Sequence, residues 1–287
     1  MTILSPPGWL YDRLSHLAPT PRDDAPATDA PPRIRTLAPR DLLDALALGW
    51  RDFAATRADV IFLCAIYPAI GLLLAQAASG RELIPLIFPM AAGFALLGPL
   101  AALGLMELSR RRERGQPASW HHMFAVLAAP SIGHIALMAA ILVGLFLLWL
   151  FTAMVIYNNT LGPPTLSASD PASISTFARD VLTTSAGHSL IILGISAGFC
   201  FALLVLAIGF TTFPMLLDRR TTISAAIGTS LQVVSRNPAM AAAWGLLVAV
   251  ALALASIPAF LGLVIVLPWL GHASWHLYRK SVRWPPA

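Results

Sequence analysis

The sequence is short of charge. Of its 287 residues only 11% are Asp, Glu, Lys or Arg, and 57% are hydrophobic; an average soluble domain has roughly 25% charged residues. The mean hydropathy is +0.73. Such a chain cannot cover a globule with polar surface, so lipid must solvate much of it. The composition therefore excludes an ordinary soluble domain.

The sequence also lacks most motifs of the common enzyme classes. It contains no Walker loop, HExxH or paired-cysteine site, and its GxSxG match, GISAG (194–198), lies inside an apolar run. Its two cysteines, Cys64 and Cys200, each lie inside an apolar run, where small core residues are expected and a structural disulfide is not. The apolar runs carry no acid, base or histidine near their middle, which disfavours a proton-coupled pump. We predict that the protein is not an enzyme.

Long apolar stretches are abundant. Six reach the length of about 20 residues that a membrane span needs: roughly 59–78, 84–106, 133–157, 188–212, 239–257 and 258–277. Pro258 is expected to lie in the turn between the last two. The sequence thus predicts an all-α polytopic protein with six transmembrane helices within residues 38–280. It predicts a disordered cytoplasmic tail over the proline-rich residues 1–37 and no signal peptide.

The loop between the third and fourth spans, residues 158–187, is predicted to lie outside the cytoplasm. It contains a short amphipathic helix that Asp170 caps and Pro171 begins. Ile174, Phe177 and Val181 form the apolar face of this helix.

Basic residues are distributed unevenly along this topology. With the N-terminus in the cytoplasm, all but two of the 19 Lys and Arg residues fall on the cytoplasmic side, the exceptions being Arg81 and Arg179. The positive-inside rule then places both termini in the cytoplasm of a bacterial inner membrane. The basic collar is expected to contact anionic lipid headgroups and not nucleic acid. Its headgroup residues are Arg110, Arg111, Arg219, Arg220, Arg279 and Lys280.

An internal repeat is visible at the helix ends. The segment PLAALGLMELSRR (99–111) aligns without gaps to PWLGHASWHLYRK (268–280), with Glu107 at the position of His276. An amphipathic segment precedes each pair of spans, at 41–57, 119–127 and 221–238. In the first, Leu43, Leu46, Trp50 and Phe53 form the predicted apolar face, and Asp52 belongs to the polar one. We therefore predict three repeats of a cytoplasmic amphipathic helix plus a transmembrane hairpin.

Four segments resemble signature blocks of one family. They are GPLAALGLMELSRRRERG (98–115), FPMLLDRR (213–220), AIGTSLQVVSRNP (226–238) and GHASWHLYRK (271–280). The chain is similar over about residues 33–283 to the bacterial integral membrane family of domain of unknown function 2189. The resemblance implies a multi-span bacterial membrane protein, and it implies no activity, cofactor or catalytic residue.

His272 and His276 are the strongest candidate ligands. They are four residues apart and share one helix face. With Glu107 and Asp218 at neighbouring helix ends, they could form a metal or haem site. The alternative is a packed membrane-interface helix end, in which the imidazoles bond to Glu107 or Asp218 and Trp275 and Tyr278 are interfacial aromatics. No other cofactor is predicted.

These observations favour three functions in descending order. The first is a non-enzymatic scaffold, assembly or accessory factor for other membrane components, whose partners are anionic lipid and other membrane proteins. The second is a transporter or channel for a small neutral or lipid-like solute, which would need a polar cavity reaching Tyr67, Gln76 and Ser196. The third is a metal- or haem-binding redox accessory that uses His272 and His276.

Overall fold

Helices dominate the structure, a computed structural model that describes residues 32–64, 86–129, 131–162, 174–258 and 260–284. In chain order the helices are α1 (Pro39–Cys64), α2 (Ile87–Phe94), α3 (Gly98–Ala101), α4 (Leu103–Glu113), α5 (Ile132–Asn159), α6 (Ile174–Thr183), α7 (Ser185–Gly209), α8 (Thr212–Asp218), α9 (Ile223–Arg236), α10 (Pro238–Ser256) and α11 (Leu263–Ser281). Turns of 3₁₀ helix occupy Ala95–Leu97 and Trp120–Ala128. Two short strands, β1 (Arg33–Ile34) and β2 (Val282–Arg283), flank the helices.

Several of these helices are apolar enough to cross a membrane. Among the described residues four stretches qualify, namely Phe88–Glu113, Ile132–Asn159, Ser185–Asp218 and Pro238–Ser256. They coincide with the second to fifth predicted spans. The first predicted span, 59–78, lies mostly outside the described residues. The sixth, 258–277, corresponds to α11, whose polar second half keeps it out of this set. The described chain is therefore an all-α membrane protein.

Threonine side chains begin two of the helices. Thr184 Oγ1 accepts the Gly187 N–H at 2.9 Å before α7, and Thr222 Oγ1 accepts the Ala225 N–H at 3.3 Å before α9. Each satisfies a backbone donor that the first helical turn leaves unpaired. Helix α6 lies within the predicted external loop, whereas the predicted cap Asp170 lies outside the described residues.

The turn between α10 and α11 is tight. Helix α10 ends at Ser256 and α11 begins at Leu263, so Pro258 lies between them. Phe260 has a φ of 64°, a left-handed conformation. A Cβ atom on Gly262 would lie 2.7 Å from the Ala255 Cα, so this position requires glycine.

The two ends of the described chain pair with each other. Arg33 and Ile34 pair antiparallel with Arg283 and Val282. The Asn237 amide fixes the segment that follows β1, since its Oδ1 accepts the Leu37 N–H at 2.7 Å and its Nδ2 donates to the Arg35 carbonyl at 3.0 Å. Residues 33–37 and 281–283 therefore lie on the same side of the bundle.

Three helix ends converge at this side. Helices α4, α8 and α11 contact one another, and each also packs against an amphipathic segment: α4 on the 3₁₀ helix Trp120–Ala128, α8 on α9, and α11 on α1. We call this region the charged end, made of α4, α8, residues 271–281 of α11 and residues 39–56 of α1. It brings together segments more than 200 residues apart in sequence, such as Asp52 and His276.

The buried face of α1 differs in part from the predicted one. Phe53 is buried, as predicted, but Leu43 and Trp50 are 67% and 48% exposed. Leu42, Ala45 and Asp52 are buried in addition. The reason is the closeness of α11: a Cβ atom on Gly49 would lie 2.6 Å from the Ala273 backbone nitrogen. Because small residues let two helix backbones approach, the narrow Ala45–Gly49 face turns toward α11, and Leu43 and Trp50 turn outward.

The prediction that Cys200 is a core residue is wrong. It is a free cysteine on the exposed surface of α7. The hydrophobic core instead forms where α5 packs on α8, around Met138, Leu142, Phe213 and Leu216. An apolar residue on a spanning helix can face lipid, and hydrophobicity alone does not distinguish that face from the core.

Candidate functional site

Asp52 is the centre of a buried polar network at the charged end. Its Oδ2 accepts hydrogen bonds from Ser109 Oγ at 2.6 Å and from His276 Nε2 at 2.8 Å. Its Oδ1 accepts from Arg112 Nε at 2.8 Å. The carboxylate of α1 thereby links α4 to α11, the two helices whose ends carry the predicted sequence repeat.

Hydrogen bonds and burial act in opposite directions on the pKa of Asp52. Burial raises this pKa, but the hydrogen bonds from His276, Ser109 and Arg112 favour the charged form and lower it to about 2. Asp52 is consequently a carboxylate at every physiological pH, and it supplies the counter-charge for the groups around it.

Ser109 connects Asp52 to the second histidine. Its Oγ lies 2.8 Å from His272 Nδ1, and both Ser109 and His272 are 0% exposed. A hydroxyl has one hydrogen, which Ser109 gives to Asp52, so the N–H of this pair must come from His272 Nδ1. His272 Nε2 is then the bare nitrogen of the neutral ring, and it has no hydrogen-bond partner among the described residues.

Glu107 forms a separate ion pair. Arg110 donates to it from Nε at 2.7 Å and from Nη2 at 2.6 Å, the bidentate geometry typical of arginine and carboxylate. The Arg111 Nη1 lies 3.9 Å from the same carboxylate. Arg110 is 4% exposed, so Glu107 rather than lipid provides its counter-charge.

Asp218 is the acceptor of a third cluster. Tyr278 Oη and Arg114 Nη2 each donate to it at 3.0 Å, and Arg279 Nη1 lies 3.6 Å away. Burial, followed by the nearby Asp218 charge, raises the pKa of the Tyr278 hydroxyl well above its usual value, so it stays a donor. Tyr278 is thus buried and not an interfacial aromatic.

Glu113 ties the end of α4 to α11. It accepts from Trp275 Nε1 at 2.8 Å and from Arg279 Nε at 2.9 Å. Trp275 is 1% exposed, so the interfacial position predicted for this residue is wrong as well. Both aromatic residues have indole or hydroxyl donors that meet a carboxylate inside the protein, which accounts for their burial.

The remaining predicted headgroup residues lie at the rim. Lys280 Nζ is 2.9 Å from Asp44 and 3.6 Å from Asp41. The Asp41 carboxylate also accepts the Ala38 N–H, which is the main reason for its lowered pKa. Arg219 is partly buried, and Arg220 is exposed. Contact of these groups with lipid stays a prediction.

The two histidines do not meet the predicted carboxylates. Glu107 bonds to Arg110 and Asp218 to Tyr278, while His276 bonds to Asp52 and His272 bonds to Ser109. No group of three or more His, Cys, Asp or Glu suited to a metal ion occurs in the part of the chain that the structure describes. For the predicted solute path, Ser196 is exposed, whereas Tyr67 and Gln76 lie outside the described residues.

Sequence reasoning missed Asp52 and Ser109. Asp52 was assigned to the solvated face of an amphipathic helix, and Ser109 is one of many serines. One feature of the sequence could have pointed to Asp52, namely Gly49, which stands three residues before it. A glycine at that spacing can bring a neighbouring helix within reach of a short carboxylate.

Comparison with known proteins agrees with the membrane assignment. Residues 87–218 match a family described as "Predicted integral membrane protein (DUF2189)". The match covers α2 to α8, with Glu107, Ser109 and Asp218, and stops short of the range 33–283 expected from the resemblance. No curated protein and no solved structure matches the chain. The segment 87–218 therefore belongs to the DUF2189 family of integral membrane proteins.

Proposed function

We propose that the protein is a non-enzymatic membrane accessory factor that binds or helps to assemble other membrane components at its charged end. The observation that supports this proposal most strongly is that the buried carboxylates of this end all bond to groups of the protein itself. Asp52, Glu107 and Asp218 each accept from at least one arginine. Asp52 and Asp218 thereby join different helices, and Glu107 fixes Arg110 within α4, which suits a binding platform of fixed side chains.

The burial of Ser109 and His272, a hydroxyl and an imidazole in contact, supports the same proposal. Ser109 and His272 are completely buried, and a general base must come within hydrogen-bond reach of its substrate. By contrast, Arg112, Arg114 and Arg279 keep 35%, 40% and 38% of their side chains exposed. These guanidinium groups are the surface that a partner of opposite charge would meet.

The proposal includes a membrane topology. We place six spans in a bacterial inner membrane, with both termini in the cytoplasm. Pairing of β1 with β2 supports an even number of crossings, because it holds the two flanks of the membrane domain on one side. The concentration of Lys and Arg in the same flanks supports the cytoplasm as that side.

The proposal also includes three diverged repeats. In each, an even-numbered span would end at the charged end, in α4, α8 or α11. Each of these ends packs against the amphipathic segment of the next unit, and α11 closes the ring on the first segment, α1. A cyclic arrangement of this kind is what threefold duplication would produce.

Photo-crosslinking in native membranes tests the binding surface. A photoreactive residue replaces Arg51 or Arg114, both at the charged end, or, as the matched control, Thr183, the last residue of α6; all three positions are exposed. We expect discrete protein adducts from positions 51 and 114 and none from 183. Adducts of equal yield at all three positions, or none at 51 and 114, would contradict the proposal.

A further inference from the structure

A small cavity opens at the charged end beside Asp218. Its volume is ≈ 210 Å³, and its lining residues are Glu113, Arg114, Asp218, Arg219, Trp275 and Arg279. Pockets that bury drug-sized ligands measure about 300–1,000 Å³. This cavity is smaller and its lining is charged, so its size and chemistry suit one polar group and not an extended apolar molecule.

The lining carries more positive than negative charge. Three of its side chains are guanidinium groups and two are carboxylates. The carboxylates are already engaged: Glu113 accepts from Trp275 and Arg279, and Asp218 accepts from Tyr278 and Arg114. Because each guanidinium offers five N–H donors, two carboxylates cannot satisfy all three. Some of the guanidinium N–H groups can therefore still donate hydrogen bonds to a further oxyanion.

Arg219 is the clearest case of this unused capacity. Its Nε is buried and has no hydrogen-bond partner among the described residues, with Asp218 Oδ2 at 3.6 Å. The indole of Trp284 lies 5.0 Å from the guanidinium carbon and holds the group from one face. An arginine fixed in this way loses little further freedom when it binds an anion.

We infer that this cavity binds a phosphate group, carried either by a phospholipid headgroup or by a free phosphate. Arginine donors match the geometry of phosphate oxygens and form charge-assisted hydrogen bonds to them. The inference rests on the proposed function, because it names the chemistry of one component that the charged end would bind. Arg114, Arg219 and Arg279 are the binding residues.

Native mass spectrometry of the full-length protein in detergent tests the inference. The probes are dioleoyl phosphatidylglycerol, inorganic phosphate, and dioleoylglycerol as the lipid without phosphate. We expect one saturable site for a phosphate-bearing probe and none for dioleoylglycerol. If only the phospholipid binds, the source is a headgroup; if inorganic phosphate also binds and competes with the lipid, the site accepts free phosphate. Absence of saturable binding for both phosphate probes overturns the inference.

Three variants locate the site. Arg219→Gln and Arg114→Gln should each weaken binding by about tenfold, since each removes charge-assisted hydrogen bonds. Arg236→Gln removes the same charge from an exposed position outside the cavity lining and should leave binding unchanged. An equal loss in all three variants would mean attraction by bulk charge and would overturn the site.

Arg114→Gln is the variant expected to keep its fold, since the Arg114 side chain is 40% exposed. If Arg219→Gln does not fold, Arg114→Gln and Arg236→Gln still decide the question. A failed binding test with intact crosslinks at position 51 would reject the phosphate site alone. Loss of those crosslinks would reject the wider proposal.

Discussion

The charged end and the spanning helices are built in opposite ways. At the charged end Asp52, Glu107 and Asp218 are buried, each with a basic partner. Along α7 the reverse holds, and large apolar side chains such as Ile192 and Phe199 are exposed. The first region hides its polar groups from water, and the second presents its apolar groups to lipid.

The difference shows where specific structure comes from in this protein. Lipid tails are as apolar as leucine, so apolar contacts between spans gain little from the hydrophobic effect. A buried carboxylate, in contrast, is costly unless each partner stands in place. The charged end therefore specifies which helices meet, while the spans accept many apolar sequences.

The largest effect is expected from Asp52→Ala. It leaves Ser109, His276 and Arg112 without their common acceptor, and breaking a buried ion pair typically costs about 3–5 kcal/mol. The free energy of unfolding, measured by SDS titration of the detergent-solubilised protein, should fall by that amount. Asp44→Asn is the matched control, because the Asp44 side chain is 59% exposed and an exposed pair contributes about 0–1 kcal/mol. Equal losses in the two variants would contradict the central role of Asp52.

A smaller loss is expected within the spans. Leu142→Ala on α5 creates a cavity in the core and should cost about 3 kcal/mol, because Leu142 is completely buried. Ile192→Ala on α7 removes a similar side chain from an exposed position, where lipid fills the space, and should change the free energy of unfolding very little. The same SDS titration compares them. If Ile192→Ala costs as much as Leu142→Ala, the exposed face of α7 is a protein contact.

Gly49→Ala should have the smallest of the three effects. The new methyl group would press on the Ala273 backbone, and overpacking of this kind costs about 1–3 kcal/mol. Gly228→Ala is the matched control, since no neighbouring atom lies within 4 Å of its Cβ position. That substitution should stabilise α9 slightly through the better helix propensity of alanine. Thermal unfolding followed by circular dichroism distinguishes the two, and a stable Gly49→Ala variant would disprove the close helix contact.

The sequence predicts local features of this fold better than distant ones. Apolar length identifies α5, α7 and α10, and the spacing of His272 and His276 correctly places both on α11. The partner of His276 was not predictable, because Asp52 lies more than 200 residues away and only the close approach of the helices at Gly49 brings it near. The burial of Tyr278 escaped prediction for the same reason. Tyrosine is common both at membrane interfaces and in protein cores, and the hydrogen bond of Tyr278 to Asp218 accounts for its place in the core.

The pairing of α1 with α11 also sets the order in which the protein can be completed. A ribosome makes Asp52 early and His276 224 residues later. Until α11 and β2 are made, Asp52 lacks its His276 partner, and β1 lacks the strand with which it pairs. Non-local contacts of this kind form late and slowly. Assembly of the charged end therefore waits for two segments that the ribosome makes far apart in time, and it can take place only after α11 has been synthesised.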